Sequence, residues 1–473
     1  SEFTGGDLAL AEAQNADLLA RVSDPEDRAD VLLNRANIHL ARGELDAVVA
    51  RAAELVDLVG GDLPRRVSTA GMIAAIIRAQ RAIGRRRPAD LLELPPLTER
   101  RHRLHLNGLA VATGAAFQAD LKLLTVLAVK MITVTLRHGL AAPAAPALVL
   151  QGIVAGAPRR DYALMDAYGR AALAVLDRFP DPASLPLVRF LYGGMIQPMS
   201  HPYRACIADL RGAIRSGLEV GADQSAGYCW MTVISQSINA GVNLDELRAD
   251  ATAALDLLQK AKVGPVVWNT RIDRGYILAL LGESRGPGDL SHDGFDEADI
   301  LAKLGGEAAP LSRYAFLARS LEANLFLGHH DRALQRIREA DPGVADAFRF
   351  FDAFYNYRAY RALALAAAAA EPLAWLARRS LARELRRTLD DLDLAARASP
   401  ANFAPLRTLV AAELARLTDE ARAPTAYEAA IAAAREHGAL HLEALACERA
   451  ARHFHARGVR EAALAYLQRA RRT

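Results

Sequence analysis

A recurring turn constrains this chain more than any other feature. Four times an apolar, helix-forming stretch runs into a glycine, a short polar turn follows, and a second Ala-rich stretch begins: at Arg42-Gly43-Glu44, Leu281-Gly282, Leu327-Gly328-His329 and Arg457-Gly458-Val459. Aligned on the glycine, the residue seven places earlier is Ala36, Gly275, Leu321 or Ala451. In three copies Val48, Ala333 and Ala463 stand five places later, Ala52, Ile337 and Leu467 nine later, and Leu55, Ala340 and Ala470 twelve later. The pattern has a physical reason. Glycine adopts the left-handed backbone that ends a helix at no steric cost. Small residues let two helices approach, and the later apolar positions form a stripe at helical period that packs on the next pair.

This is the logic of the tetratricopeptide repeat, a helical hairpin of about 34 residues. It predicts an all-α, tetratricopeptide-like αα-hairpin solenoid wound as a right-handed superhelix. The match is partial: Leu321 is large for a small position, and Arg271 stands where the second copy would carry the usual Trp. Composition agrees with helices. Hydrophobic residues make up 52% and aromatics only 6%, so Ala, Leu and Val must fill the core; Ala and Leu favour helix, and a large sheet is not expected. A length of 473 residues exceeds one compact core and suits an array.

Between the copies, Leu123 to Arg137 is apolar on nearly all faces and interrupted by Lys130. It is too short for a membrane span and reads as a buried core helix. Further helices are expected from Asp161 to Phe179, Tyr203 to Val220 and Ala362 to Ala370, with a charged amphipathic one from Leu381 to Arg397. Pro180, Pro182 and Pro186 break the chain between the first two, and Pro400 and Pro424 punctuate the last third. The Gly-rich loop from Glu283 to Gly294 is the natural boundary, dividing residues 4–285 from 286–473 within one continuous curved array. Residues 1–3 read as a cloning remnant on an excised fragment.

Basic and acidic residues nearly cancel, 58 against 55. Arginine pairs such as Arg159-Arg160, Arg378-Arg379 and Arg386-Arg387 are scattered among carboxylates, so the gathered charge of a nucleic-acid binder is not expected. Only five basic residues are Lys (122, 130, 260, 262 and 303), a bias attributed to codon composition. Cys206, Cys229 and Cys447 are isolated and odd in number, which fits a reducing compartment and neither a disulfide framework nor a zinc site.

No phosphate-loop, nucleophile-elbow, H-E-x-x-H or C-x-x-C motif occurs, and no cofactor is implied. Gly60-Gly61, followed by Pro64 and two arginines, reads as a turn rather than a phosphate cradle. His102 and His105 can share a helix face, but a metal needs a third ligand, so they read as surface histidines. His453 and His455 point to different faces, and Gly438 ends a helix between His437 and His441. Cys229 beside Trp230 reads as core rather than nucleophile.

Four stretches resemble a known region: Gly84-Arg-Arg-Arg-Pro-Ala-Asp-Leu-Leu-Glu-Leu-Pro-Pro-Leu-Thr98; Leu127-Ala-Val-Lys-Met-Ile-Thr-Val-Thr-Leu-Arg-His-Gly139; Ser216-Gly-Leu-Glu-Val-Gly-Ala-Asp223 with Gly241-Val-Asn-Leu-Asp-Glu246; and Tyr427-Glu-Ala-Ala-Ile-Ala-Ala-Ala-Arg-Glu-His-Gly438, running on to Arg471. They are similar to the helical region that follows the ATPase module in very large bacterial signalling proteins. Those proteins join a serine/threonine kinase-like domain, an AAA/STAND-type ATPase, a tetratricopeptide-like array and often a GAF plus histidine kinase. A more distant likeness is to the helical sensor of maltose-operon-type activators. The resemblance implies a cytoplasmic sensor or regulatory array with no catalytic residues of its own.

In such arrays the first helix of each pair lines the concave face. The expected contacts are Asn37 in the first copy, Asn269 and Tyr276 in the second, and Glu448, Arg452 and His455 in the last, with Tyr228, Trp230 and Trp268 as aromatic candidates. Both Trp side chains can equally fill inter-helix core, and Glu448 and Arg452, four apart, can simply pair. Three functions follow in order: a non-catalytic regulatory array binding a protein partner or its own neighbouring domains; a small-molecule sensor with its ligand near Trp230, Trp268 and Tyr276; and, last, an enzyme on a helical scaffold.

Overall fold

A computed structural model describes residues 8–260, 264–303, 310–341, 343–344, 351–369 and 374–473. Residues 1–3 and Ala370 lie outside these. Among the described residues the regular structure is helical, and pairing of extended chain is confined to two isolated bridges, Pro96 with Leu140 and His292 with Phe295. Consecutive helices pack as neighbours, the arrangement of an all-α helical-repeat protein. Contacts divide the chain into two compact units: residues up to 192 with 216–222, and residues 193–215 with 223–473.

The first unit contains α1 (Leu8–Arg21), α2 (Pro25–Arg42), α3 (Leu45–Leu58), α4 (Thr69–Ile83), α5 (Arg100–Ala119), α6 (Leu121–His138), α7 (Ala144–Gly156) and α8 (Tyr162–Arg178). Here α2 pairs with α3, α5 packs on α3 and α6, and α6 also meets α4 and α7. The expected core helix is α6: Leu124, Leu127, Met131 and Ile132 are all buried. Helices α9 (Leu185–Met195) and α10 (Tyr203–Glu219) hold residues of both units.

The second unit continues with α11 (Asp223–Asn239), α12 (Leu244–Lys260), α13 (Gly264–Leu281), α14 (Glu297–Lys303), α15 (Pro310–Phe326), α16 (His330–Ala340), α17 (Asp352–Ala368), α18 (Trp375–Ala398), α19 (Pro400–Thr418), α20 (Ala423–Glu436), α21 (Leu440–Ala456) and α22 (Arg460–Arg472). The loop from Glu283 to Gly294 joins α13 to α14 inside this unit. Pro400 and Pro424 sit in the first turns of α19 and α20, where the missing N–H costs nothing.

All four aligned glycines are left-handed, with φ of 74° at Gly43, 75° at Gly282 and Gly328, and 76° at Gly458. Each closes its helix in the same way. The Gly43 N–H donates to the Leu40 carbonyl (3.0 Å) and the Glu44 N–H to the His39 carbonyl (2.9 Å), the double bond of a Schellman cap. The same pair recurs at Gly60, Gly241 and Gly438, turns that the repeat alignment did not include.

Seven residues before the glycine, Ala36, Leu321 and Ala451 are buried. Gly275 shows why the position tolerates so little there: a Cβ would stand 2.4 Å from the Leu290 carbonyl oxygen, because the loop after α13 crosses directly over it. The stripe behaves differently in the last copy. Ala52 and Ile337 are buried, but Leu467 is 47% exposed and Leu464 59%. Helix α22 packs on α21, which covers Ala463 and leaves its outer face open. No helix among the described residues is long and apolar enough to cross a membrane.

Candidate functional site

The residues expected to line a groove occupy several places. Asn37 is half-buried on α2 in the first unit. In the second unit, Tyr228 packs beside Met231 and Val267 over Leu258 and Val266. The Asn269 amide lies 3.4 Å from the Met231 sulfur, so α11 and α13 bring these two expected residues to one patch. Trp230 and Trp268 are half-buried, each with a guanidinium over its ring, Arg211 at 5.8 Å and Arg271 at 5.2 Å. Tyr276 is buried, and its hydroxyl donates to Glu322 (3.0 Å) within an ionic cluster. At the centre of that cluster Arg319 donates to Asp273 (2.9 Å), to Glu322 (2.8 Å) and to the Ser235 hydroxyl (2.9 Å). On α21, Glu448 and Arg452 form an ion pair at 2.7 Å, with Arg452 also 3.1 Å from His330, while His455 is exposed.

A cavity lies elsewhere. In the first unit a cleft of about 840 Å³ opens between the loop after α3 and helices α4, α5 and α6. Helical spacing explains how it is lined. Arg78 and Arg81 share a face of α4; Arg101, His102 and His105 share a face of α5; Val126, Lys130, Val134 and Arg137 climb one face of α6. The loop adds Gly60, Gly61, Asp62 and Arg66. Ala75, Val126 and Val129 are buried and give the cleft an apolar floor.

Several contacts fix this wall. Arg101 donates to the Val59 carbonyl at the end of α3 (3.1 Å). Lys130 reaches Asp62, donating to its carboxylate (2.6 Å) and its carbonyl (3.2 Å). Gly61 lies so close to His105 that a Cβ would stand 2.6 Å from its Nε2. The turn at Gly60-Gly61 is therefore a turn, as its sequence indicates, and also part of the cleft wall. His102 stacks on His138, ring centroids 3.6 Å apart, and meets Glu99 at 3.2 Å.

The local field is positive. Burial, then the neighbouring Lys130, push the His105 pKa down to about 4. The His138 pKa is also lowered, by burial and then by His102. Both imidazoles are therefore neutral near pH 7 and able to donate or accept hydrogen bonds. His102 and His105 are half-buried cleft residues rather than surface ones, because α6 packs across the face they share.

The three cysteines are buried, and none forms a disulfide among the described residues. No group of three or more His, Cys, Asp or Glu among the described residues is arranged to hold a metal. The arrangement of the cleft is suited to holding a ligand by charge and shape. A signal that could have found it in the sequence is Lys130, a cation inside the apolar stretch from Leu123 to Leu136. The arginines carried no such mark, since they come from separate stretches that only packing assembles. No family model matches the sequence, and no curated protein matches it.

Proposed function

We propose that this chain is a non-catalytic sensor and regulatory region, a helical-repeat scaffold that takes up a small-molecule effector in the cleft of its first unit and passes on its state of occupancy. The observation that carries this reading is the cleft. Its volume of about 840 Å³ falls in the range of small-molecule sites. Its lining combines an apolar floor with convergent polar groups. The recipient of the signal is a protein partner or a neighbouring domain of the same polypeptide. The resemblance to the helical region of ATPase-coupled bacterial signalling proteins supports that setting and a cytoplasmic location.

A second reading, a repeat array that chiefly holds a protein partner, is favoured by the half-buried Trp230 and Trp268 and by the open apolar face of α22. A thermal-shift screen separates the two. Native-state binding must raise stability, so the sensor reading expects saturable stabilisation by at least one compound in a panel of anionic, neutral and cationic metabolites. Stabilisation by none of them would sink the sensor reading and leave the partner-binding one.

A further inference from the structure

The cleft of the first unit has an unusual charge inventory. Its lining carries six permanent cations, Arg66, Arg78, Arg81, Arg101, Lys130 and Arg137, against one carboxylate, Asp62. The whole chain, by contrast, has a net charge of only +3. Asp62 is engaged by Lys130. Arg101 is held by a backbone carbonyl, and among the described residues no carboxylate pairs with any of the five arginines. Five arginines, all exposed residues, surround one cleft, and the single carboxylate in its lining is already engaged by Lys130.

We propose that this cleft binds a compact phosphorylated polyanion, a small molecule bearing two or more phosphate groups; the proposal rests on the sensor reading and names its ligand class. Four features select this chemistry. Guanidinium groups form paired, planar hydrogen bonds that fit phosphate oxygens. The cations reach one cavity from a loop and three helices, so they enclose a compact ligand instead of tracking a polymer along a stripe. The first turn of α4, capped by Ser68 (3.1 Å to the Gly71 N–H), enters the cleft and adds the positive end of a helix dipole. The apolar floor of Ala75, Val126 and Val129 leaves room for an organic body beside the phosphates.

The test is calorimetric titration of the full chain with inorganic triphosphate and with ATP, in EDTA and about 0.15 M salt, a level that screens diffuse surface attraction. Saturable one-to-one binding of both is expected, with orthophosphate and adenosine at least tenfold weaker. Arg78→Glu and Arg137→Glu should each weaken triphosphate binding at least tenfold. Both side chains are exposed, so these variants should fold; Arg78→Gln is a milder second test, expected to weaken binding several-fold. Arg378→Glu, an exposed arginine on α18, should change it less than twofold. Failure of both polyphosphates to bind, equal weakening by Arg378→Glu, adenosine binding as tightly as ATP, or tighter binding of a 20-nucleotide single strand than of triphosphate would each overturn the proposal. If a neutral or cationic compound stabilises the protein and neither polyphosphate does, the sensor reading survives and this inference falls. If nothing stabilises it, both fall.

Discussion

Arg449 in the second unit and Arg78 in the first are both helical arginines, but they are treated in opposite ways. Arg449 is buried and donates twice to Glu413, at 2.7 and 3.0 Å. The same carboxylate accepts from Arg416 (2.9 Å) and from the Tyr427 hydroxyl (2.9 Å), so α19, α20 and α21 are joined through one charge. Burial alone would raise the Glu413 pKa, but Arg449 and then Arg416 outweigh it and hold it at about 2. Arg319 is similarly enclosed by Asp273 and Glu322. Among the described residues Arg78 has no carboxylate partner, and it lines a cleft with other cations around it. Charge closed on itself ties helices together, whereas charge left open around a cavity is available to a ligand.

The contrast is broken most severely at Glu413. Glu413→Ala leaves two arginines in the core without their counter-charge, and about 3–5 kcal/mol of stability should be lost, read by urea denaturation. A loss under about 1 kcal/mol would show that the cluster is not what holds these helices. Acid should act on the same group. Its folded pKa of about 2 lies below the ordinary 4.5, so its contribution is complete above about pH 4.5 and disappears as pH falls towards 2. Glu413→Gln should flatten that part of the stability–pH curve.

Histidines add a second acid-sensitive window. His105 in the first unit and His441 in the second are both held at about 4 against an ordinary 6.5, chiefly by burial. Both ring nitrogens of His441 are shielded from solvent with no hydrogen-bond partner among the described residues. Neutral when folded and protonated when unfolded, the two residues should cost stability as pH falls from about 6.5 to about 4. Melting curves of His441→Phe across that range should show a shallower slope; an unchanged slope would exclude His441 as a source.

Smaller effects sharpen the comparison. Gly282→Ala meets no atom within 4 Å, so its cost is purely that of a left-handed backbone, about 1–2 kcal/mol by denaturant titration. Arg78→Gln should change stability by no more than about 0.5 kcal/mol, and at low salt should raise it, because it removes a like charge from the cleft. A clear loss at low salt would mean that Arg78 serves the fold.

The glycine turns were legible because their cause is local. A left-handed residue and two backbone hydrogen bonds close each helix within a few residues, and the small or apolar positions around Gly43, Gly282 and Gly328 mark where helices meet. The cleft was illegible for the opposite reason. Arg66, Arg78, Arg101 and Arg137 are separated by up to 71 positions in the sequence, and each alone resembles a solvated surface arginine. Charge that looks scattered along the chain is gathered here by packing of α4, α5 and α6. The Arg319 and Glu413 clusters escaped notice in the same way, since a buried ion pair needs both partners in view.

The locally closed turns also bear on how the molecule forms. Where each helix finds its main neighbour next in sequence, as α2 does α3 or α21 does α22, little chain entropy is spent on closing long loops. Each hairpin is then a small cooperative step, and opening can begin at one pair and propagate to the next. Amide exchange should record this as graded protection, with α22 and its single main neighbour opening ahead of helices such as α19, which has helices on both sides in the sequence packed against it.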